Sequence, residues 1–278
     1  MKITVLVENT TKNDLKCEHG LSFFIEFENQ NYLLDAGTTD IFLENGKTME
    51  VPIYDVSKCI LSHGHYDHSG GFETYLVENG EVVVYAMKGA DDEYYSGSDG
   101  LHYIGIPKKI LQDYGERFIF VDKVIKIAEH VYLVPHNTAG LEKIGERAKL
   151  YMRKDGEYLP DDFRHEQSLV FQTEKGLIVF NCCSHGGMQN IIREVQEVFP
   201  KERIYAFFGG LHMKGKRDGE EICTFTDEEL KLLVVFLKEV GLQYLYTGHC
   251  TGQVALGKLK IYAGDMVQEL FTGRVICL

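Results

Sequence analysis

Through its opening the chain alternates apolar and polar positions with the period of strands, and a helical period appears only further on. Lys2 to Val7 is apolar and β-branched, Leu21 to Phe27 alternates, and Asn31 to Asp35 runs into the turn Asp35-Ala36-Gly37. Three strands in quick succession are therefore expected. A more polar stretch holding Phe42 and Leu43 reads as a helix. Cys59 to Ser62 has the size and composition of a short buried strand. Gly70 to Leu76 then looks like the start of a helix, and Glu81 to Tyr85 like another strand.

Between Ala86 and about Arg164 the pattern loosens into mixed tyrosines, glycines and charges, with strand-like pieces only at Arg117 to Val121 and His130 to Val134. A mixture of sheet and substrate-determining loops is expected there. From Ser168 order returns as three strand-helix steps. Leu177 to Asn181 precedes a helix near Asn190 to Val198, and Ile204 to Phe208 precedes the amphipathic Thr226 to Val240. Tyr244 to Thr247 precedes a shorter helix around Gln253 to Leu259. Thr226-Asp227-Glu228-Glu229 has the form of a capping box, a hydroxyl followed three residues on by a carboxylate. No linker-like stretch or repeat divides the 278 residues, so one α/β domain over 1–278 is expected.

Composition narrows the function classes. Hydrophobic residues make up 44% and charged residues 26%, ordinary for a globular chain with a sizeable core. A net charge of −13 argues against a nucleic-acid partner, because phosphate backbones are held mainly by Lys and Arg. It leaves room for a small anionic substrate if a bound cation dominates the local field. Seven irregularly spaced cysteines, an odd number, point to reduced thiols in a cytoplasmic setting rather than to a disulfide framework. The N-terminus turns polar after one short apolar run, which predicts a first strand and not a signal peptide. No apolar stretch approaches the about 20 residues that span a bilayer, so no membrane partner is expected.

The strongest chemical signal is Ser62-His63-Gly64-His65-Tyr66-Asp67-His68-Ser69-Gly70-Gly71. His63 and His65 are two apart on an extended segment, so their rings can leave the same face. Asp67 and His68 follow where the chain must turn into a helix, and so can approach from another side. Imidazole and carboxylate together suit zinc, manganese or iron, and the two groups can supply two neighbouring ions. His185, after an apolar strand and before Gly186-Gly187, is a further candidate ligand. His249 occupies the same strand-end position in Tyr246-Thr247-Gly248-His249-Cys250-Thr251-Gly252.

His63-x-His65-x-Asp67-His68 after a buried strand resembles the signature of the metallo-β-lactamase superfamily, and Leu34-Asp35-Ala36-Gly37 resembles the turn that precedes it there. Glu18-His19-Gly20-Leu21-Ser22, Cys183-Ser184-His185-x-Gly187, Gly209-Gly210-Leu211-His212 and Gly248-His249-Cys250-Thr251-Gly252 are similar to segments of one branch. That branch holds the dihydropterin-forming synthase of methanopterin biosynthesis and many metal-dependent hydrolases. The resemblance implies an αββα sandwich and two divalent metal ions, zinc foremost with manganese or iron as alternatives. It implies His63, His65, Asp67, His68, His185 and His249 as the metal ligands, with His249 on the second ion, and Asp35 as a residue that orients a ligand histidine. It places His19 near the site. His212 is similar in position to a histidine that tRNA-processing nucleases of the superfamily hold beside their metals. This implies a proton-donor or substrate-binding role for His212, with Asp67 as the other catalytic candidate, against a merely structural alternative.

The sequence departs from the superfamily at one point. Many members place a bridging aspartate after a strand, between the third and last histidine motifs, where this chain reads Asn181-Cys182-Cys183-Ser184-His185. Either His185 takes that place with His165 as the earlier ligand, or the bridge is solvent alone. A Cys183 thiolate is a third alternative, beside the plainer reading of a small buried cysteine. His102, His130 and His136 have no motif context and read as structural or exposed. Tyr94, Tyr95 and Tyr103 read as packing residues. The expected function is a metal-dependent hydrolase acting on a small phosphorylated or ester substrate. The alternatives are a ring-forming synthase acting on a phosphorylated pterin-like compound, a non-catalytic metal-binding protein, and a di-iron redox protein. Redox members of the superfamily usually carry a carboxylate where His65 stands and an attached flavin domain, and this sequence has neither.

Overall fold

A computed structural model describes all residues from Met1 to Leu278. The alternating segments form strands as expected, and they are sorted into two compact units. The first unit comprises Met1–Asp122, Ala139–Gln167 and Phe271–Leu278, and the second Lys123–Thr138 and Ser168–Leu270.

The first unit is built on a seven-stranded sheet in the order Val275–Cys277, Lys2–Val7, Ser22–Phe27, Gln30–Leu34, Lys58–Ile60, Val84–Met87 and Phe118–Val121. Its early strands pair antiparallel, as short turns permit, and its later ones pair parallel through helical crossovers. Leu6, Phe24, Leu33, Phe42, Leu61, Phe72 and Tyr75 fill its core. The strand expected to continue to Asp35 ends at Leu34, because Asp35 adopts a left-handed backbone with φ of 59°.

The loosely patterned region holds more regular structure than its sequence suggests. Glu157–Pro160, Leu150–Lys154, Glu93–Ser96 and His102–Tyr103 form a separate four-stranded sheet. Tyr94, Ile104, Leu150 and Phe163 bury a small core of their own there. Leu150–Lys154 pairs with Glu93–Ser96 across more than fifty residues of chain, a partnership that local periodicity cannot reveal. The helices Lys108–Tyr114 and Glu142–Ala148 were likewise not signalled.

The second unit has its own seven-stranded sheet in the order Val267–Glu269, Tyr244–Thr247, Ile204–Phe208, Gly176–Phe180, Gln167–Thr173, Val131–Pro135 and Ile125–Ala128. Its three central strands run parallel, each followed by one of the expected helices, Met188–Val198, Asp227–Glu239 and Gln253–Ala263. The capping box is present: Thr226 accepts from the Glu229 N–H while the Glu229 carboxylate accepts from the Thr226 N–H. Leu230, Leu233, Val234 and Leu237 are the buried stripe of that helix. Each contributes roughly 1.5–3 kcal/mol by leaving water. No helix of the protein is long and apolar enough to cross a membrane.

Candidate metal centre

The first unit gathers its donors around one buried carboxylate. Asp35 is fully buried at the end of its strand. Its Oδ1 accepts from the Ser62 N–H at 2.7 Å and its Oδ2 from the Ser62 hydroxyl at 2.6 Å. The same Oδ2 lies 2.7 Å from His68 Nδ1. An ionised carboxylate can only accept, so His68 must donate from Nδ1. The Ser62 hydroxyl has given its single proton to Asp35, so His63 Nδ1, 2.8 Å from that oxygen, must donate to it. Asp35 thereby fixes the tautomer of two histidines, one directly and one through Ser62. Nε2 of both is thereby left unprotonated, the tautomer that metal-binding imidazoles require.

The rings converge accordingly. The His63 centroid lies 4.6 Å from that of His65 and 4.2 Å from that of His68. Asp67 and His68 sit on a single helical turn, Tyr66–Ser69, as the sequence anticipates. Asp67 Oδ2 is 3.6 Å from His68 Nε2 and 3.2 Å from His19 Nε2. Two ligands of one tetrahedral ion stand roughly 3.3 Å apart when each bond is near 2.0–2.1 Å. The donor set therefore fits an ion, and His19 is brought to it as the branch resemblance implied.

His165 has a different part. Its Nδ1 accepts from the Gly64 N–H at 3.0 Å, so the ring proton must be on Nε2, which faces Asp161 Oδ2 at 3.1 Å. Both ring nitrogens are thus engaged inside the protein, and His65, Asp161 and His165 also bring donor atoms within 4.8 Å of one another. His165 holds the segment between His63 and His65, with Tyr94 packed on its ring at 3.9 Å between centroids. Gly64 itself can be nothing larger, since a Cβ there would stand 2.3 Å from the Ala90 carbonyl oxygen.

The second unit collects Cys183, His185, His212, His249 and Cys250 at the ends of its central strands. The His185 and His212 rings are 4.6 Å apart. The His212 N–H donates to Cys250 Sγ at 3.3 Å and the Leu211 N–H to Thr251 Oγ1 at 2.9 Å, which joins the two strand-end loops. Gly210 permits this approach, because its Cβ would lie 2.3 Å from Cys250 Sγ. Burial alone would raise the Cys250 thiol. Hydrogen bonding with Cys183 and the charges of His249 and His185 outweigh it and bring the group down to about 6. Ser184, His212 and His249 adopt left-handed backbone with φ of 52°, 48° and 50°. All three lie in the loops that follow the central strands.

The His136 side chain is almost fully buried and has a specific partner that the sequence reading missed. Its Nδ1 lies 2.7 Å from Glu194 Oε2. The other Glu194 oxygen accepts from the Asn137 and Thr138 N–H groups, each at 2.9 Å, and from the Thr138 hydroxyl at 2.7 Å. The His136 ring packs against Gly186, next to His185. The available signal was Glu194 itself, a carboxylate in line with Ile191 and Val195 on the buried face of its helix. Burial would raise its carboxyl, but His136, Thr138 and the Asn137 N–H hold it below the ordinary 4.5. A carboxylate depressed on folding contributes stability above its unfolded value, and that contribution is lost as pH falls through the folded one. Thermal melts between pH 7 and pH 3 should therefore show less acid sensitivity in Glu194→Gln than in the parent. Parallel curves would remove Glu194 from this role.

Comparison with known proteins agrees with this architecture. Residues 15–195 match the model of the metallo-β-lactamase superfamily. The chain is 27% identical over 273 residues to the 7,8-dihydropterin-6-methyl-4-(β-D-ribofuranosyl)-aminobenzene-5′-phosphate synthase of Methanocaldococcus jannaschii, covering 93% of this chain and 90% of the relative. An uncharacterised protein of the same organism is 28% identical over 267 residues, with 93% of each chain covered. The crystal structure of a metal-dependent hydrolase of the β-lactamase superfamily superposes with a TM-score of 0.82 at 30% identity, covering 100% of this chain and 99% of the other. This chain belongs to the metallo-β-lactamase superfamily and has its fold. Within the superfamily it falls in the branch of these relatives.

Proposed function

We propose that the protein is a two-metal hydrolase of a small phosphorylated or ester substrate. His63 and His65 serve one ion and Asp67 and His68 its neighbour, and the superfamily resemblance implies His185 as a further ligand for the first ion and His249 for the second. Asp35 carries the reading, because its contacts place the ring protons of His63 and His68 on Nδ1, the metal-binding tautomer. When bound, the ions supply Lewis acidity and a water acidified towards neutral pH. The chain's own residues do the rest. Asp35 and Ser62 keep the histidines in the binding tautomer, His165 braces the loop between them, and His212 delivers a proton to the leaving oxygen. Zinc is the favoured ion for this imidazole and carboxylate set, with manganese or iron as alternatives. None of the seven cysteines is in a disulfide, which supports a reducing, cytoplasmic setting.

The relative named as a dihydropterin phosphate synthase favours a phosphorylated pterin-like substrate, and with it a second reading in which the same site closes a ring. Turnover of bis(p-nitrophenyl) phosphate by zinc- or manganese-loaded protein distinguishes the two. The hydrolase reading expects turnover that a chelator abolishes and added metal restores. A metal-loaded protein inert towards phosphodiesters and esters, yet active on a phosphorylated pterin, would replace it with the synthase.

A further inference from the structure

The aspartate that commonly bridges the metals in this superfamily has no counterpart after the strand Gly176–Phe180. What stands there is Cys183, which is 2% exposed. Its Sγ lies within 4.8 Å of a ring nitrogen of His185, and also within 4.8 Å of a ring nitrogen of His249. In the functional reading above these two histidines serve different ions. A sulfur within reach of both occupies the position that a bridging ligand needs.

The surrounding loop is built to hold that sulfur. The Ser184 N–H donates to Asn181 Oδ1 at 2.8 Å, and Asn181 Nδ2 donates to Ser168 Oγ at 3.2 Å, closing the chain on either side of Cys183. Gly209 lies against Asn181, where a Cβ would come within 1.9 Å of its carbonyl oxygen. Ser184 Oγ, also buried, has no hydrogen-bond partner within the protein, as expected of a hydroxyl that serves a bound ion or its water. The neighbouring thiols have other occupations. Cys182 is fully buried and belongs to none of the potential ligand groups. Cys250 accepts from the His212 N–H, and its sulfur lies 3.5 Å from the Cys183 carbonyl oxygen.

We infer that Cys183, as a thiolate, is a metal ligand that bridges the ions held by His185 and His249 in place of the missing carboxylate. The inference rests on the two-metal reading. Coordination releases the thiol proton to solvent, and no electron is transferred. A thiolate among imidazoles prefers zinc, iron or cobalt to manganese, so it would also narrow the choice of metal.

Cobalt(II) is the probe. The metal-free parent, Cys183→Ser, Cys183→Asp and Cys250→Ser are titrated with cobalt under a non-thiol reductant, with bound cobalt measured and folding checked by circular dichroism. The parent and Cys250→Ser should develop an intense sulfur-to-cobalt charge-transfer band in the near ultraviolet. Cys183→Ser and Cys183→Asp should lack it while still binding cobalt. Cys183→Asp, which restores the superfamily's carboxylate, should keep the second ion and bind manganese better than the parent does. Cobalt bound to the parent without the band, or a band that survives in both Cys183 variants, would overturn the inference and leave the two-metal site standing. Failure of the parent to bind cobalt at all would overturn both.

Discussion

Replacing Asp35 with alanine should cost the protein both its metal and much of its stability. The variant strands three buried donors, the Ser62 N–H, the Ser62 hydroxyl and His68 Nδ1, in a site with no access to water. Each buried donor left unsatisfied costs about 1–3 kcal/mol. His63 and His68 also lose the contact that sets their tautomer. Loss of such a supporting partner typically weakens metal binding about 10–100-fold. Asp35→Asn should fall between alanine and the parent, because asparagine tolerates the left-handed backbone and keeps one acceptor. Denaturant unfolding and zinc titration on the same preparations check this. Unchanged zinc affinity in a folded Asp35→Ala protein would show that the carboxylate does not organise the histidines.

The second large effect is expected at His212. It stands at the end of a central strand, after Gly209-Gly210, with its ring 4.6 Å from that of His185. Its left-handed φ of 48° is one that asparagine also tolerates, so His212→Asn tests the ring without disturbing the loop. As a general acid it should retain the metals and lose roughly 10²–10⁴-fold in turnover. A leaving group that needs no proton, such as p-nitrophenolate, should be affected far less than an alkoxide. Loss of metal before turnover would make His212 a ligand instead. Reduced melting temperature with full activity per folded molecule would make it structural.

How far the sequence speaks depends on the range over which each feature is encoded. The strands Lys2–Val7 and Ile204–Phe208 and the helix Asp227–Glu239 are written in local alternation, in an i, i+3, i+4 stripe and in a capping box, and they stand where the pattern puts them. The His63 to His68 cluster is equally local, since one strand end and one helical turn position all four side chains. The small sheet joining Glu93–Ser96 to Leu150–Lys154 is not local, and its tyrosines look like loop residues until the distant strand covers them. The same holds for the supporting residues. His165 meets Gly64 across 101 positions and Glu194 meets His136 across 58. Neither pair has a spacing that a motif could record. Asp35 was legible only because the turn around it resembles that of the superfamily. Its hold on Ser62 and His68 is a property of the folded sheet.

Elemental analysis of the reconstituted protein and its ligand variants tests the central reading most directly. After equilibration with zinc and removal of excess, the parent should hold two ions per chain. Asp67→Ala and His68→Ala should lose mainly one of them, while His63→Ala and His65→Ala lose mainly the other, as distinguished by successive affinities in a zinc titration. A folded parent that retains no metal after reconstitution with zinc, manganese or iron would contradict the account.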